Sequence, residues 1–136
     1  MADESEAGLA AEKRPLTDAE RALVRWLLEH EESGAERLLP QLDRLTVFQK
    51  CTCGCPTVYF ALDDEPVTRK GERIISDYLG QTDGKLIGVM LLEVNDRISS
   101  IESYSLEGSD EPFGFPAIES LRRFEDVREI NRSPEH

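Results

Sequence analysis

The strongest constraint on the fold is a long apolar run that stands between two short turn signals. Lys85–Val94 is apolar at most successive positions, so both faces of a strand formed there would be buried. Asp83-Gly84 before this run favours the positive φ angles of a tight hairpin turn. Asn95-Asp96 marks a second turn directly after it. The sequence therefore predicts a three-stranded antiparallel meander, in which residues 74–81 and 97–106 flank a central Lys85–Val94.

The third strand of this meander, residues 97–106, carries polar and apolar side chains on both of its faces. Such a mixed pattern is typical of incomplete burial, which predicts a strand at the edge of the sheet. Helices are expected to cover one face of the central strand. The other apolar face needs a second cover, either the C-terminal segment or another chain.

Helical signals stand on both sides of the strands. Thr17 and Glu20 have the spacing of a capping box, and the apolar residues that follow recur at three and four, which predicts a first helix ending near Gly34. A second, shorter helix is indicated over residues 36–45. Pro40 removes a backbone donor within it and predicts a kink or two short turns. Residues 117–125 resume helical spacing and predict a short closing helix.

The segment between the helices and the meander reads as a β-hairpin. Residues 45–51 and 57–62 are rich in β-branched and aromatic residues, and the stretch between them forms the turn. The predicted fold class is α+β, with two N-terminal helices on a mainly antiparallel sheet of about five strands and a short C-terminal helix. Residues 16–125 form the single domain, preceded by a disordered tail at 1–15 and followed by a flexible tail at 126–136.

All three cysteines of the chain stand at alternate positions of one short stretch, Cys51-Thr52-Cys53-Gly54-Cys55-Pro56. In an extended segment, residues two apart point the same way, so the three sulfurs are predicted to lie on one side. Thiolates are preferred ligands of zinc, which makes zinc the candidate cofactor of Cys51, Cys53 and Cys55. A closed zinc site takes four ligands. The candidate fourth ligands are His30, near the end of the first helix, and then Asp63 and His136.

The sequence leaves two other interpretations of this stretch open. In the first, the cysteines are small, mostly buried residues of a hairpin connection, where Gly54 supplies a permissive φ and Pro56 holds Cys55 extended. In the second, Cys53 and Cys55 form a redox-active dithiol pair, because a disulfide ring so small is strained and easily reduced. Lys50 is the cation adjoining the motif, so little charge is available in the sequence to lower a thiol pKa.

Composition limits the classes of partner and of chemistry. The 28 acidic and 16 basic residues give a formal net charge of −12, which repels nucleic-acid phosphates and anionic lipids, so neither is an expected partner. Three crowded cysteines suit a reducing compartment, and no stretch approaches the ~20 apolar residues of a membrane span, which predicts a cytoplasmic protein. Two histidines leave few general bases, and no nucleophile or phosphate-binding motif is present, which disfavours an enzyme and predicts no catalytic residue.

Several segments share their order with known sequences: Leu16-Thr17-x-x-Glu20-x-x-Leu23 with Trp26-Leu27-Leu28, then Gln41-Leu42, Cys53-Gly54-Cys55-Pro56-Thr57 and Arg97-Ile98-Ser99-Ser100-Ile101-Glu102. Over residues 16–124 this order resembles a family of small uncharacterised bacterial proteins, and the Cys-Gly-Cys-Pro segment is its most specific part. The resemblance implies a bacterial protein but no activity, cofactor or catalytic residue.

Two hypotheses about function follow from these observations. The leading one is a non-enzymatic binding or interaction module, whose partner is another protein or a second copy of the chain. The alternative is a zinc-binding protein that uses Cys51, Cys53 and Cys55, and a dithiol redox protein ranks after it.

Overall fold

The computed structural model of the protein describes residues 9–30, 34–108 and 111–123. Its strands are β1 (Leu9–Pro15), β2 (Leu45–Cys51), β3 (Val58–Leu62), β4 (Glu65–Pro66), β5 (Arg73–Thr82), β6 (Lys85–Val94), β7 (Arg97–Ser105) and β8 (Arg122–Arg123). The helical elements are α1 (Asp18–Glu29), a 3-10 helix (Ala35–Arg44) and a single 3-10 turn (Ile118–Ser120). Across these ranges the strands form one antiparallel sheet in the order β1-β2-β3-β7-β6-β5-β8, and β4 pairs with β3 beside this path.

The α+β prediction of two helices on about five strands is wrong, because the sheet has eight strands in the described part of the chain and dominates the fold. One added strand, β1, falls within residues 1–15, which the sequence assigned to a disordered tail. The composition of this segment gives no strand signal. The segment forms a strand because the free edge of β2 offers backbone hydrogen-bond partners to residues Leu9–Pro15.

The helical predictions also change. The second helix is a 3-10 helix that contains Pro40. This agrees with the disruption expected from proline, which has no backbone N–H to donate to an α-helical hydrogen bond. The predicted closing helix is reduced to the turn Ile118–Ser120, and the chain then pairs with β5 as β8. The Ser120 side chain explains this, because its Oγ accepts from Gln81 N–H at 2.8 Å and is 2.7 Å from the Ala117 carbonyl oxygen. Residues 124–125 of that prediction lie outside the described residues.

The meander and the hairpin are confirmed. β5, β6 and β7 pair in succession, and β2 pairs with β3. Both predicted meander turns have positive φ at their two central residues: 49° and 77° at Asp83-Gly84, and 50° and 67° at Asn95-Asp96. The predicted edge position of β7 is wrong, because β7 lies between β3 and β6.

The core lies on one face of the sheet. α1 contributes Leu23, Val24, Leu27 and Leu28 to it, and the strands contribute residues such as Phe60, all of them buried. The 3-10 helix closes the same face.

The second face of the meander carries aromatic and polar residues beside the apolar Met90 and Leu92 of β6. Tyr104 lies opposite Gly88, and a Cβ added to Gly88 would run into the Tyr104 ring. On β3, the Arg69 guanidinium sits 4.2 Å above the centre of the Tyr59 ring. In the described residues, the large apolar side chains that are exposed are Ile74, near the start of β5, and Leu106, just after β7.

An ion pair fastens β1 to the start of α1. Thr17 and Glu20 form the predicted capping box: Thr17 Oγ1 accepts from Glu20 N–H at 3.0 Å, and Glu20 Oε1 accepts from Thr17 N–H at 2.9 Å. Arg14 of β1 grips the same carboxylate through two bonds of 2.8 and 2.9 Å. Burial raises the pKa of Glu20, but the Arg14 guanidinium and the Thr17 N–H outweigh it and hold that pKa below its usual value of 4.5.

Replacing Gly88 by Ala is predicted to destabilise the protein through Tyr104. The new methyl group displaces the ring, and overpacking of this kind costs about 1–3 kcal/mol of unfolding free energy. Urea denaturation of Gly88→Ala in the wild-type and Tyr104→Ala backgrounds measures this cost. With the ring removed, the cost disappears or changes sign, because Ala is favoured over Gly in a strand by roughly 0.5–1 kcal/mol. An equal cost in both backgrounds would contradict the contact.

The Glu20 carboxylate is predicted to make stability depend on pH in the acid range. A lowered folded-state pKa gives stabilisation that is complete above the unfolded value of 4.5 and is lost as the pH falls through the folded value. Glu20→Gln therefore lowers the free energy of unfolding at neutral pH, and its difference from wild type shrinks on acidification. Urea denaturation from about pH 3 to 7 tests this. Glu29→Gln, an exposed change of equal charge at the other end of α1, is the control; parallel curves for wild type and Glu20→Gln would refute the prediction.

Candidate metal centre

The cysteines lie where β2 passes into β3. Cys51 is the last residue of β2, and its N–H donates to the Thr57 carbonyl at 3.1 Å, which closes the loop just before β3 begins. Gly54 at the middle of the loop has φ +107°, a conformation that a side chain would strain. The local sequence thus reverses the chain within a few residues and keeps all three cysteines in or beside the reversal.

A segment distant in sequence packs against this loop. Phe113 N–H donates to the Gly54 carbonyl at 3.1 Å, and a Cβ on Gly54 would lie 3.4 Å from the Pro112 Cα. Further along, Ala117 N–H donates to the Gln81 carbonyl at 3.0 Å and fastens the segment to the end of β5. Residues 111–117 therefore form a second wall beside the cysteines, and their sequence signals only a loop.

The three sulfurs lie together on one side of the loop, as the sequence predicts. The three Sγ atoms are all within 4.8 Å of one another. Cys53 Sγ is 3.0 Å from Cys51 Sγ and 3.0 Å from Cys55 Sγ. The backbone repeats itself here, because Cys53 N–H donates to Cys51 Sγ and Cys55 N–H to Cys53 Sγ, each at 3.4 Å. Alternate spacing and these bonds together align the sulfurs in a row.

The row ends on a buried threonine. Cys55 S–H donates to Thr57 Oγ1 at 3.3 Å, and the Thr57 hydroxyl donates to the Ser103 carbonyl at 3.3 Å. Ser103 N–H donates back to Thr57 Oγ1 at 3.0 Å. Thr57 thus holds the thiol row to β7. The sequence did not indicate this role of Thr57, because a hydroxyl residue at the start of a buried strand is too common to single it out.

The three cysteines differ in exposure. All are free; Cys53 is exposed, whereas Cys51 and Cys55 are partly buried. The exposure of Cys53 departs from the interpretation as mostly buried packing residues, whereas Cys51 and Cys55 are consistent with it. Burial, with the hydrogen bond to Cys53, raises the pKa of Cys51, whereas hydrogen bonding with Cys51 and Cys55 lowers the pKa of Cys53. The loop therefore favours the thiolate form of the central residue, Cys53.

Cavities open on both sides of the cysteine loop. One, of about 920 Å³, lies between the loop and the β1–α1 junction, and Cys51, Cys55, Leu23 and Phe115 are among its lining residues. The other, of about 560 Å³, is lined by Cys53, Cys55, Tyr104 and Glu111 among others. Both cavities reach Cys55, so the thiols are accessible from two directions.

Four charged side chains of the larger cavity, Glu12, Arg14, Glu20 and Lys50, pair with one another. Glu12 Oε2 accepts from Arg14 at 3.0 Å, and Glu12 Oε1 lies 3.6 Å from Lys50 Nζ. Arg14 is also held by Glu20. Lys50, the cation nearest to the cysteines in sequence, is thus paired with Glu12.

None of the sequence-predicted fourth ligands joins the thiols in the described residues. The His30 ring stacks on Trp26 with centroids 4.0 Å apart, and its Nδ1 is 2.9 Å from the Trp26 carbonyl oxygen. Asp63, at the other end of β3, is bound to Arg44 at 2.9 Å. His136 lies outside the described residues. Among the described residues, one group of at least three potential ligands lies close enough together to hold a metal ion. It consists of Cys51, Cys53 and Cys55.

No protein-family model, curated protein or solved structure matches this chain. The resemblance to small bacterial proteins therefore stays a prediction, and any function has to be argued from the site itself. In the described residues, no helix has the length and apolar character needed to cross a membrane.

Proposed function

We propose that the protein binds one zinc ion through the thiolates of Cys51, Cys53 and Cys55. The observation that supports this most is the meeting of three sulfurs within 4.8 Å on one side of a loop. Soft thiolate ligands favour zinc over the hard cations that carboxylates and carbonyls bind.

The sulfur positions need little change to hold zinc. With Zn–S bonds of about 2.3 Å in a tetrahedron, neighbouring sulfurs stand about 3.8 Å apart. Cys53 Sγ is 3.0 Å from each neighbour, so these two distances have to widen by about 0.8 Å. The Cys51 and Cys55 sulfurs are at most 4.8 Å apart, so they have to approach by no more than about 1 Å. Residues 52–56 carry no strand pairing, which leaves this loop able to make the adjustment.

Hydrogen bonds already supply part of the charge stabilisation that such a site needs. Each thiol must lose its proton to ligate zinc, so zinc binding releases protons and weakens as the pH falls. The N–H groups of Cys53 and Cys55 point at sulfurs and stabilise the thiolate form. Three thiolates and one zinc ion carry a net charge of −1. Three protein sulfurs also leave a fourth coordination position, which a zinc site keeps for a further ligand.

Zinc content is predicted to depend on all three cysteines together. Protein purified without chelator should contain on the order of one zinc ion per chain by elemental analysis, and the variant with all three cysteines replaced by Ser should contain almost none. Thr52→Ser, an exposed change in the same loop, is the control that keeps its zinc. Zinc that is substoichiometric and equal in wild type and the triple variant would refute the proposal.

Thiol–disulfide exchange is the second candidate, favoured by the exposure of Cys53 and its two sulfur neighbours at 3.0 Å. The Cys53 thiolate would attack a small-molecule disulfide, releasing one thiolate and forming a mixed disulfide. The Cys51 or Cys55 thiolate would then displace the second thiol, leaving one intrachain disulfide. The substrate disulfide is reduced and the protein dithiol is oxidised.

This candidate predicts that metal-free protein loses two of its three thiols in an oxidising glutathione buffer and regains them with reductant. Thiol titration before and after each step measures the change. The Cys53→Ser variant is expected to lose no more thiols than nonspecific oxidation removes. Three free thiols under every condition would refute the redox role and leave the zinc proposal intact.

A further inference from the structure

We infer that Glu111 supplies the fourth ligand of the zinc site, an inference that rests on the proposed function. Glu111 lines the cavity of about 560 Å³ together with Cys53 and Cys55. Among the described residues that line this cavity it carries the carboxylate, and the other polar side chains besides the cysteines are the hydroxyls of Ser103, Tyr104 and Ser105. A carboxylate oxygen ligates zinc at about 2.0–2.2 Å and completes a three-sulfur, one-oxygen site.

The backbone brings Glu111 within reach of the thiols. Phe113 N–H is bonded to the Gly54 carbonyl at 3.1 Å, and Gly54 stands between Cys53 and Cys55. Glu111 is two residues before Phe113, a step of at most about 7 Å even in extended chain. Its side chain has three rotatable bonds and is three-quarters exposed, so burial in the core does not fix its conformation.

Lys85 gives this carboxylate an orienting partner. Its Nζ donates to Glu111 Oε1 at 2.8 Å from the start of β6. A carboxylate can bind a metal through one oxygen while the other keeps a hydrogen bond, and such supporting bonds are a regular part of metal sites. The Lys85 ammonium also offsets the charge of −2 that zinc, three thiolates and one carboxylate carry together.

Two carboxylates of the larger cavity have both oxygens engaged by cations. Glu20 binds Arg14 through Oε1 and Oε2, and Glu12 binds Arg14 through Oε2 and faces Lys50 with Oε1. Glu119 is exposed and lines this cavity on the opposite side of the loop. It therefore offers a control that makes the same change of charge in the cavity on the other side of the loop.

The test compares zinc affinities of the full-length protein by competition with a chromophoric chelator. Glu111→Gln should weaken zinc binding by about 10-fold or more, because a direct ligand matters at least as much as the outer-shell partners whose loss costs about 10–100-fold, whereas Glu119→Gln should leave it unchanged. X-ray absorption should show three sulfurs and one oxygen or nitrogen in wild type.

The outcomes separate this inference from the zinc proposal. If wild type binds no zinc, the proposed function fails. If wild type binds zinc through three sulfurs while Glu111→Gln and Glu119→Gln have equal affinity, the assignment of Glu111 is overturned and the three-thiolate site stands. A loss of affinity in Glu119→Gln alone would overturn it in favour of the opposite cavity.

Discussion

The structure depends on the joint between β3 and β7, because this pairing unites the N-terminal hairpin with the C-terminal meander. The two strands are paired over two residues each, with Val58 opposite Ile101 and Tyr59 opposite Ser100. Thr57 extends it, since its hydroxyl exchanges hydrogen bonds with the backbone of Ser103. Val58 and Ile101 are both buried in the core, so apolar burial and backbone pairing act at the same place.

The cysteine loop inherits its position from this joint. Cys55 is bonded to Thr57, and Cys51 closes the loop onto the Thr57 carbonyl, so one residue anchors both the sulfur row and the junction of the two halves of the sheet. A ligand bound at the thiols is therefore connected to the strand pairing that unites the domain. The loop itself stays adjustable, because Cys53 is exposed and residues 52–56 are not paired in the sheet. The hydrogen bond of Gly54 goes to Phe113, in a segment that lies outside the sheet.

Local patterns predicted the parts of the fold that depend on neighbouring residues. The turns at Asp83-Gly84 and Asn95-Asp96 have the expected positive φ angles, the Thr17–Glu20 capping box starts α1, and the hairpin around the cysteines is present. The errors concern long-range pairing. Strand β7 has polar residues on both faces yet is central, because Glu72 accepts hydrogen bonds from the Ser99 and Ser100 hydroxyls and satisfies them inside the sheet.

By itself the sequence determined the alternate spacing that aligns three sulfurs, the turns that define the meander and the cap that starts α1. Each of these follows from sterics and hydrogen bonds within a few residues. Only the tertiary structure decided the strand order, the exposure of Cys53 and the removal of His30 and Asp63 from the thiols. It also brought Glu111 to the same cavity as Cys53. These depend on which distant backbone groups pair, and no local pattern encodes that choice, because any exposed strand edge offers the same donors and acceptors.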